Sequence, residues 1–350
     1  MKRILVVSHS AGGGGSERVA TLVSNALAQS GNEVHFYSIH SDKRDYPLDT
    51  AVSYTYGEIK LTKSKAVNQL LRAYNLKKYI NIHKIEVMIS FVYLENIFLI
   101  GNHSLKKIYT LRNDPSTFCN HGITKLIREK MYIDADKVIF QTPDAMNYFP
   151  ESVREHGIVI PNPIKNELPY WCSDDHKKEV IAACRISAQK NLHMLIDAYE
   201  LVAQQRRDYK MVIYGEGDMK AALVEYTKKK KMENMVEFRG YTNNIHNIMA
   251  HSAIYVSSSD YEGISNSMLE ALAIGIPTVC TDCPVGGARM FIRHGQNGFL
   301  TQVGNAADMA KKLLLLMQDE ELQKKFFENS VKIREELSND RIFGLWLDQI

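Results

Sequence analysis

Two glutamates eight residues apart, Glu262 and Glu270, stand where a β-branched run gives way to a helical pattern: Ser257-Ser258-Ser259-Asp260-Tyr261-Glu262-Gly263-Ile264-Ser265-Asn266-Ser267 and onward. The spacing puts Glu262 in a loop and Glu270 in the first turns of the helix that follows. Ser265, Asn266 or Ser267 can cap that helix, and the Gly263 and Ile264 amides then suit a phosphate oxygen. A carboxylate at 270 can accept hydrogen bonds from a diol such as ribose, and one at 262 can hold sugar hydroxyls. Upstream, Ala182-Ala183-Cys184-Arg185-Ile186-Ser187-Ala188-Gln189-Lys190-Asn191 sets Arg185 at the carboxyl end of an expected strand and Lys190 near the next helix. Open α/β sheets take ligands at the carboxyl ends of their strands, so two cations facing one crevice suit a diphosphate. Taken singly, each is an ordinary solvated charge.

A third candidate follows the first expected strand, where Ser10-Ala11-Gly12-Gly13-Gly14-Gly15-Ser16-Glu17-Arg18 leads into a helix. Glycines let backbone amides approach an oxyanion closely, and a helix N-terminus adds about half a positive charge. The turn lacks the Gly-Lys-Ser/Thr ending of a triphosphate loop. With Glu17 in the last glycine position it also fails the dinucleotide fingerprint. The alternative is a tight turn without chemical purpose.

These loops need elements to hold them, and the chain supplies strands alternating with helices almost throughout. The first half predicts strands over 3–7, 33–38, 87–91, 108–111 and 138–141, with helices over 18–29 and 123–132. Pro161-Asn162-Pro163 then interrupts the pattern as a hinge. The second half predicts strands over 179–184, 210–214, 236–239, 253–257 and 278–281. The expectation is an α/β chain of two Rossmann-like domains facing across a cleft, 1–162 and 163–335. A last helix, 336–350, packs near the boundary, where Phe343, Leu345, Trp346 and Ile350 form an apolar stripe that crosses back to the first domain.

Composition sets the outer limits. The 350 residues are 45% hydrophobic and 24% charged, which excludes a disordered chain and leaves room for two cores. Residues 1–162 hold 20 basic against 15 acidic side chains, and 163–350 hold 23 against 25. No aromatic-basic interleaving accompanies that imbalance, so nucleic acid is not an expected partner. Five scattered cysteines read as free thiols of a reducing compartment. The few apolar residues before Ser8 and His9 are too short a run for an export signal, and no window is apolar enough to span a bilayer. The expected location is cytoplasmic.

Taken together the motifs resemble the retaining, nucleotide-sugar-dependent glycosyltransferases of the GT-B fold, glycosyltransferase family four. Glu262 and Glu270 match its pair of glutamates with seven residues between them. The likeness extends to Gly14-Gly15-Ser16-Glu17-Arg18, Pro161-Asn162-Pro163, Arg185 with Lys190-Asn191, Tyr214-Gly215-Glu216-Gly217, Phe238-Arg239-Gly240-Tyr241 and Asn297-Gly298, nearly the whole chain. It implies that Arg185 and Lys190 bind the donor diphosphate, Glu270 the ribose and Glu262 the transferred sugar, with the Gly240-Tyr241 turn flanking the base. Gly215 and the Gly263 to Asn266 segment belong to the same donor site, and Gly14 and Gly15 close over the phosphates as the domains move. The resemblance further implies same-face attack, no cofactor, no metal ion, and a glycan or lipid-linked acceptor in surface-polysaccharide assembly; a UDP-linked donor is expected by analogy. The chain departs from many relatives at Ser265, where they carry Pro, and near Met290, where they carry an acidic residue. Where they often show His after the fourth strand of the first domain, this chain has Leu111-Arg112-Asn113-Asp114-Pro115. Arg112 and Asn113 are the candidates for that wall; the alternative is a loop shaped by Asp114 and Pro115. Rival functions are a non-catalytic subunit of the same fold, or a sugar-nucleotide epimerase or sugar-phosphate synthase.

Three other features have plainer readings. Asp134-Ala135-Asp136 precedes a strand and reads as a turn rather than a metal pair. Cys280 and Cys283 are half a zinc or redox motif and read as structural. Residues 59–85 hold seven Lys/Arg (60, 63, 65, 72, 77, 78, 84), no acid and interleaved Leu70, Leu71, Tyr74, Tyr79 and Ile80. That is either a basic amphipathic helix for an anionic membrane surface or a solvated helix with its apolar stripe in the core.

Overall fold

A computed structural model describes residues 1–117, 119–165 and 167–350. The chain divides into two compact units, Met1–Pro163 together with Asp340–Ile350, and Ile164–Asn339. It leaves the first unit at Pro163 and re-enters it at Asp340.

Each unit is built on a parallel sheet. The first has β1 (Arg3–Ser8), β2 (Glu33–Ser38), β3 (Val52–Tyr56), β4 (Val87–Ser90), β5 (Lys106–Leu111), β6 (Lys137–Phe140) and β7 (Gly157–Val159) in the order β3-β2-β1-β4-β5-β6-β7. Every neighbouring pair is parallel. Ile4, Leu5, Val6 and Val7 are all fully buried, the unbroken apolar run of a strand covered on both faces. The C-terminal helix, Asn339–Leu347, completes this unit: Trp346 is buried with its ring 5.8 Å from that of Phe91.

The second unit has β8 (Lys177–Ala183), β9 (Lys210–Tyr214), β10 (Val236–Gly240), β11 (Ser252–Ser257), β12 (Thr278–Thr281) and β13 (Phe299–Thr301) in the order β10-β9-β8-β11-β12-β13. Leu195, Tyr199 and Val202 of the Leu192–Ala203 helix join Met211, Ile213 and Leu313 in its core. Each such aliphatic side chain contributes about 1.5–3 kcal/mol on burial. The strand order reverses at β8, between β9 and β11. The carboxyl ends of β8 and β11 therefore mark the switch point of this sheet, the usual ligand position in this architecture.

The sequence pattern identifies ten of these strands and misses β3, β7 and β13. β7 and β13 have three residues each, and β3 is mostly half-exposed, so none carries a buried apolar run. Among the described residues no helix is long and apolar enough to cross a membrane.

Candidate functional site

The segments after β8 and β11 meet at the switch point through a dense set of bonds. Lys190 Nζ donates to Glu262 Oε2, which also accepts from Ser259 Oγ at 3.3 Å. Asn191 Nδ2 donates to Asp260 Oδ1 at 2.7 Å, and Gln189 Nε2 to the Tyr261 carbonyl, also at 2.7 Å. Ser258 Oγ donates to the Lys190 carbonyl. Burial works against the charge on Lys190, and the Glu262 carboxylate more than offsets it, so the ammonium holds its proton more tightly than a free lysine does. Arg185, on the same segment, is exposed, and its guanidinium makes no hydrogen bond or ion pair among the described residues. The two expected phosphate cations thus differ: one is locked to the expected sugar carboxylate, the other is unengaged.

The Asn266–Ile274 helix starts where the capping residues predict. Its N-cap Ser265 accepts from the Met268 N–H, and Ser265 Oγ lies 3.1 Å from Ser267 Oγ. The N–H groups of Gly263 and Ser267 meet no acceptor among the described residues, and Ile264 is buried. Glu270 is buried on this helix, and one of its carboxylate oxygens lies 3.0 Å from His246 Nε2. Nothing in the sequence singles out His246; only the path from β10 to β11 brings it there.

Close backbone approaches fix the surrounding turns. Gly215, at φ +135°, donates its N–H to the Gly240 carbonyl at 2.8 Å, and a Cβ at 215 would lie 1.9 Å from the Cys184 carbonyl oxygen. Tyr241, the expected base-flanking residue, follows that contact and is 75% exposed. The Glu262 N–H donates to the Pro284 carbonyl, and the Val285 N–H to the Glu262 carbonyl, so the loop holding Glu262 is tied to the segment after β12.

In the first unit, Gly14 is the extended N-cap of a helix that spans Gly15–Gln29, three residues longer at its start than the apolar pattern predicts. The turn before it is pinned by the Ala11 N–H on the Lys43 carbonyl and the Tyr46 N–H on the Ala11 carbonyl, both 3.0 Å. Arg112 follows β5 and is buried. Its Nη1 donates to Asn162 Oδ1 at 3.1 Å, and its guanidinium carbon lies 5.3 and 5.5 Å from the Phe91 and Trp346 ring centroids. Burial pushes its pKa down to about 10, which leaves it cationic at neutral pH, and its Nε and Nη2 have no partner among the described residues. Asn113 beside it is exposed.

The plainer features are structural. Asp134 pairs with the buried Lys107 ammonium at 2.6 Å, and Asp136 accepts the Lys107 N–H at 2.7 Å. Cys280 and Cys283 are buried free thiols, both pushed up by burial.

Amylovoran biosynthesis glycosyltransferase AmsD of Erwinia amylovora is 23% identical over 363 aligned positions, covering 99% of each chain. A Campylobacter jejuni protein named N-acetylgalactosamine-N,N'-diacetylbacillosaminyl-diphospho-undecaprenol 4-alpha-N-acetylgalactosaminyltransferase is 26% identical, covering 95% of each. A mutant form of S. aureus TarM, solved in complex with fondaparinux, alpha-GlcNAc-glycerol and UDP, superposes with a TM-score of 0.82 at 18% identity, covering 100% of this chain and 99% of that one. The fold is thus GT-B, and residues 169–332, which include Arg185, Lys190, Glu262 and Glu270, match the family model described as Glycosyl transferases group 1.

Proposed function

We propose that this glycosyltransferase moves a hexose-type sugar, with retention and without a metal ion, from a UDP-linked donor to a glycan or lipid-linked glycan. The observation that carries the reading is the Lys190–Glu262 contact. It joins the segments after β8 and β11 at the switch point and leaves Arg185 unengaged on the same segment. The UDP in the TarM complex supports the donor, and the undecaprenol-linked and amylovoran names of the relatives support the acceptor class.

The difficult step is breaking the bond between the anomeric carbon and the diphosphate oxygen while positive charge grows on the sugar ring. Arg185 and Lys190, with the Gly263 and Ser267 N–H groups, stabilise the departing diphosphate; a well-placed donor of this kind supplies about 3 kcal/mol. These groups provide the charge compensation that a divalent cation would otherwise give. As the bond breaks, the acceptor hydroxyl attacks the same face and its proton passes to the leaving phosphate oxygen. Glu262 then anchors sugar hydroxyls and stabilises ring charge, since a glycosidase-like role would need a second carboxylate flanking the bond. Glu270 holds the ribose, Tyr241 flanks the base, and the first unit is the acceptor side.

Purified protein incubated with several UDP- and GDP-sugars tests the reading. Release of nucleoside diphosphate only when a glycan acceptor is added is the expected result. A new sugar nucleotide would mark an epimerase, and binding without turnover a non-catalytic module.

The Lys65–Ile82 helix bears on location. It buries Ala73, Leu76 and Ile80, while Val67, Leu70, Leu71 and Tyr74 remain exposed among Lys63, Lys65, Lys77 and Lys78. We assign this face to the anionic cytoplasmic membrane surface, because it joins exposed apolar side chains to cations with no acid between 59 and 85. Each near-surface cation is worth about 1 kcal/mol, so the Lys77→Gln/Lys78→Gln double variant is expected to lower partitioning onto phosphatidylglycerol-containing vesicles about thirty-fold. Equal sedimentation of the wild type with phosphatidylcholine vesicles would refute the assignment.

A further inference from the structure

His246 belongs to no motif, yet it is set against one of the two glutamates of the candidate site. It stands in the short Ile245–Ala250 helix that follows the Gly240-Tyr241 turn, and its Nε2 lies 3.0 Å from Glu270 Oε2. The two side chains are 16% and 10% exposed, so water competes little for the contact. An ionised carboxylate only accepts hydrogen bonds, so Nε2 carries the hydrogen of this one. The carboxylate has about four lone-pair sites and can accept from a histidine and from neighbouring hydroxyls together.

A glutamate on a helix has three side-chain torsions, and recognising a vicinal diol requires one of its rotamers. A directional N–H from a neighbouring element selects that rotamer before the ligand arrives, which lowers the ordering cost of binding. Met249 and Ala250, both fully buried, also seat the short helix.

We propose that His246 is a positioning residue for the donor: its Nε2–H holds the Glu270 carboxylate in the orientation that accepts the 2′- and 3′-hydroxyls of the nucleotide ribose. The proposal rests on the reading of Glu270 as the ribose ligand. It makes sugar-hydroxyl recognition, rather than nucleotide affinity as a whole, depend on residue 246.

Calorimetric titration of UDP and of 2′,3′-dideoxy-UDP separates these effects. The wild type is expected to favour UDP by about tenfold or more, the scale of hydrogen bonds to a charged group. His246→Phe, which keeps a ring but removes the donor, is expected to bring that preference below about threefold while leaving the dideoxy ligand's affinity unchanged. His246→Gln, which restores an N–H near the same place, is expected to keep most of the preference. Equal weakening of both ligands in His246→Phe, an undiminished preference in that variant, or a loss in His246→Gln as large as in His246→Phe would each overturn the proposal. A wild type that binds both ligands equally would overturn the ribose role of Glu270 itself and the proposal with it. That failure shows in the unmodified protein and so is distinguishable from a failure at His246.

Discussion

Arg185→Ala is expected to lower kcat about 100- to 1,000-fold, the usual effect of removing one donor from a developing anion, with no loss of folding stability. The side chain is exposed and makes no bond among the described residues, so truncation orphans nothing. Lys190 and Glu262 behave differently because each is the other's partner in a part-buried ion pair, and removing one leaves an uncompensated charge. Glu262→Ala is expected to abolish turnover while largely sparing UDP affinity, since the ammonium it releases remains available to the diphosphate. Lys190→Ala is expected to weaken UDP itself and to lower the melting temperature as well. Steady-state kinetics with calorimetric UDP titration and thermal melts separate the three variants. Wild-type kcat in both Arg185→Ala and Glu262→Ala would remove these residues from the site.

The chain reveals its α/β class, most of its buried strands and the order of its loops. Continuous apolar runs such as Ile4 to Val7, and caps such as Ser265, act locally and leave a local trace. What stays hidden is set by tertiary placement. That Lys190 and Glu262, 72 positions apart, bond directly follows from β8 and β11 being adjacent in the sheet, which no local pattern states. His246 reaches Glu270 for the same kind of reason. Nothing local to Arg112 states that it is buried; it is so because the chain returns Trp346 to the first unit from more than two hundred residues away. The edge strand β13, three residues long, forms because β12 offers it a partner.

Gly287→Ala is expected to lower kcat/KM at least about a hundredfold, the scale of an ångström-sized misplacement of a positioning group. A Cβ at 287 would lie 1.7 Å from the Gly263 carbonyl oxygen and 2.7 Å from its carbon, and both atoms are backbone. No rotamer change relieves such a clash, so one of the two segments must move. The Gly263 segment is confined on one side by Glu262, tied to Pro284 and Val285, and on the other by the Ser265 cap. Any shift therefore passes to the Glu262 carboxylate and to the N–H groups opening the Asn266–Ile274 helix, the groups assigned to the sugar and the phosphate. Gly344→Ala is the matched control. It lies inside the Asn339–Leu347 helix with nothing within 4 Å of an added Cβ, and it is expected to stabilise the protein by about 0.5–1 kcal/mol without altering rates. Wild-type kcat/KM in Gly287→Ala, with Gly344→Ala behaving as stated, would show that the contact between the segments after β11 and β12 does not position the site.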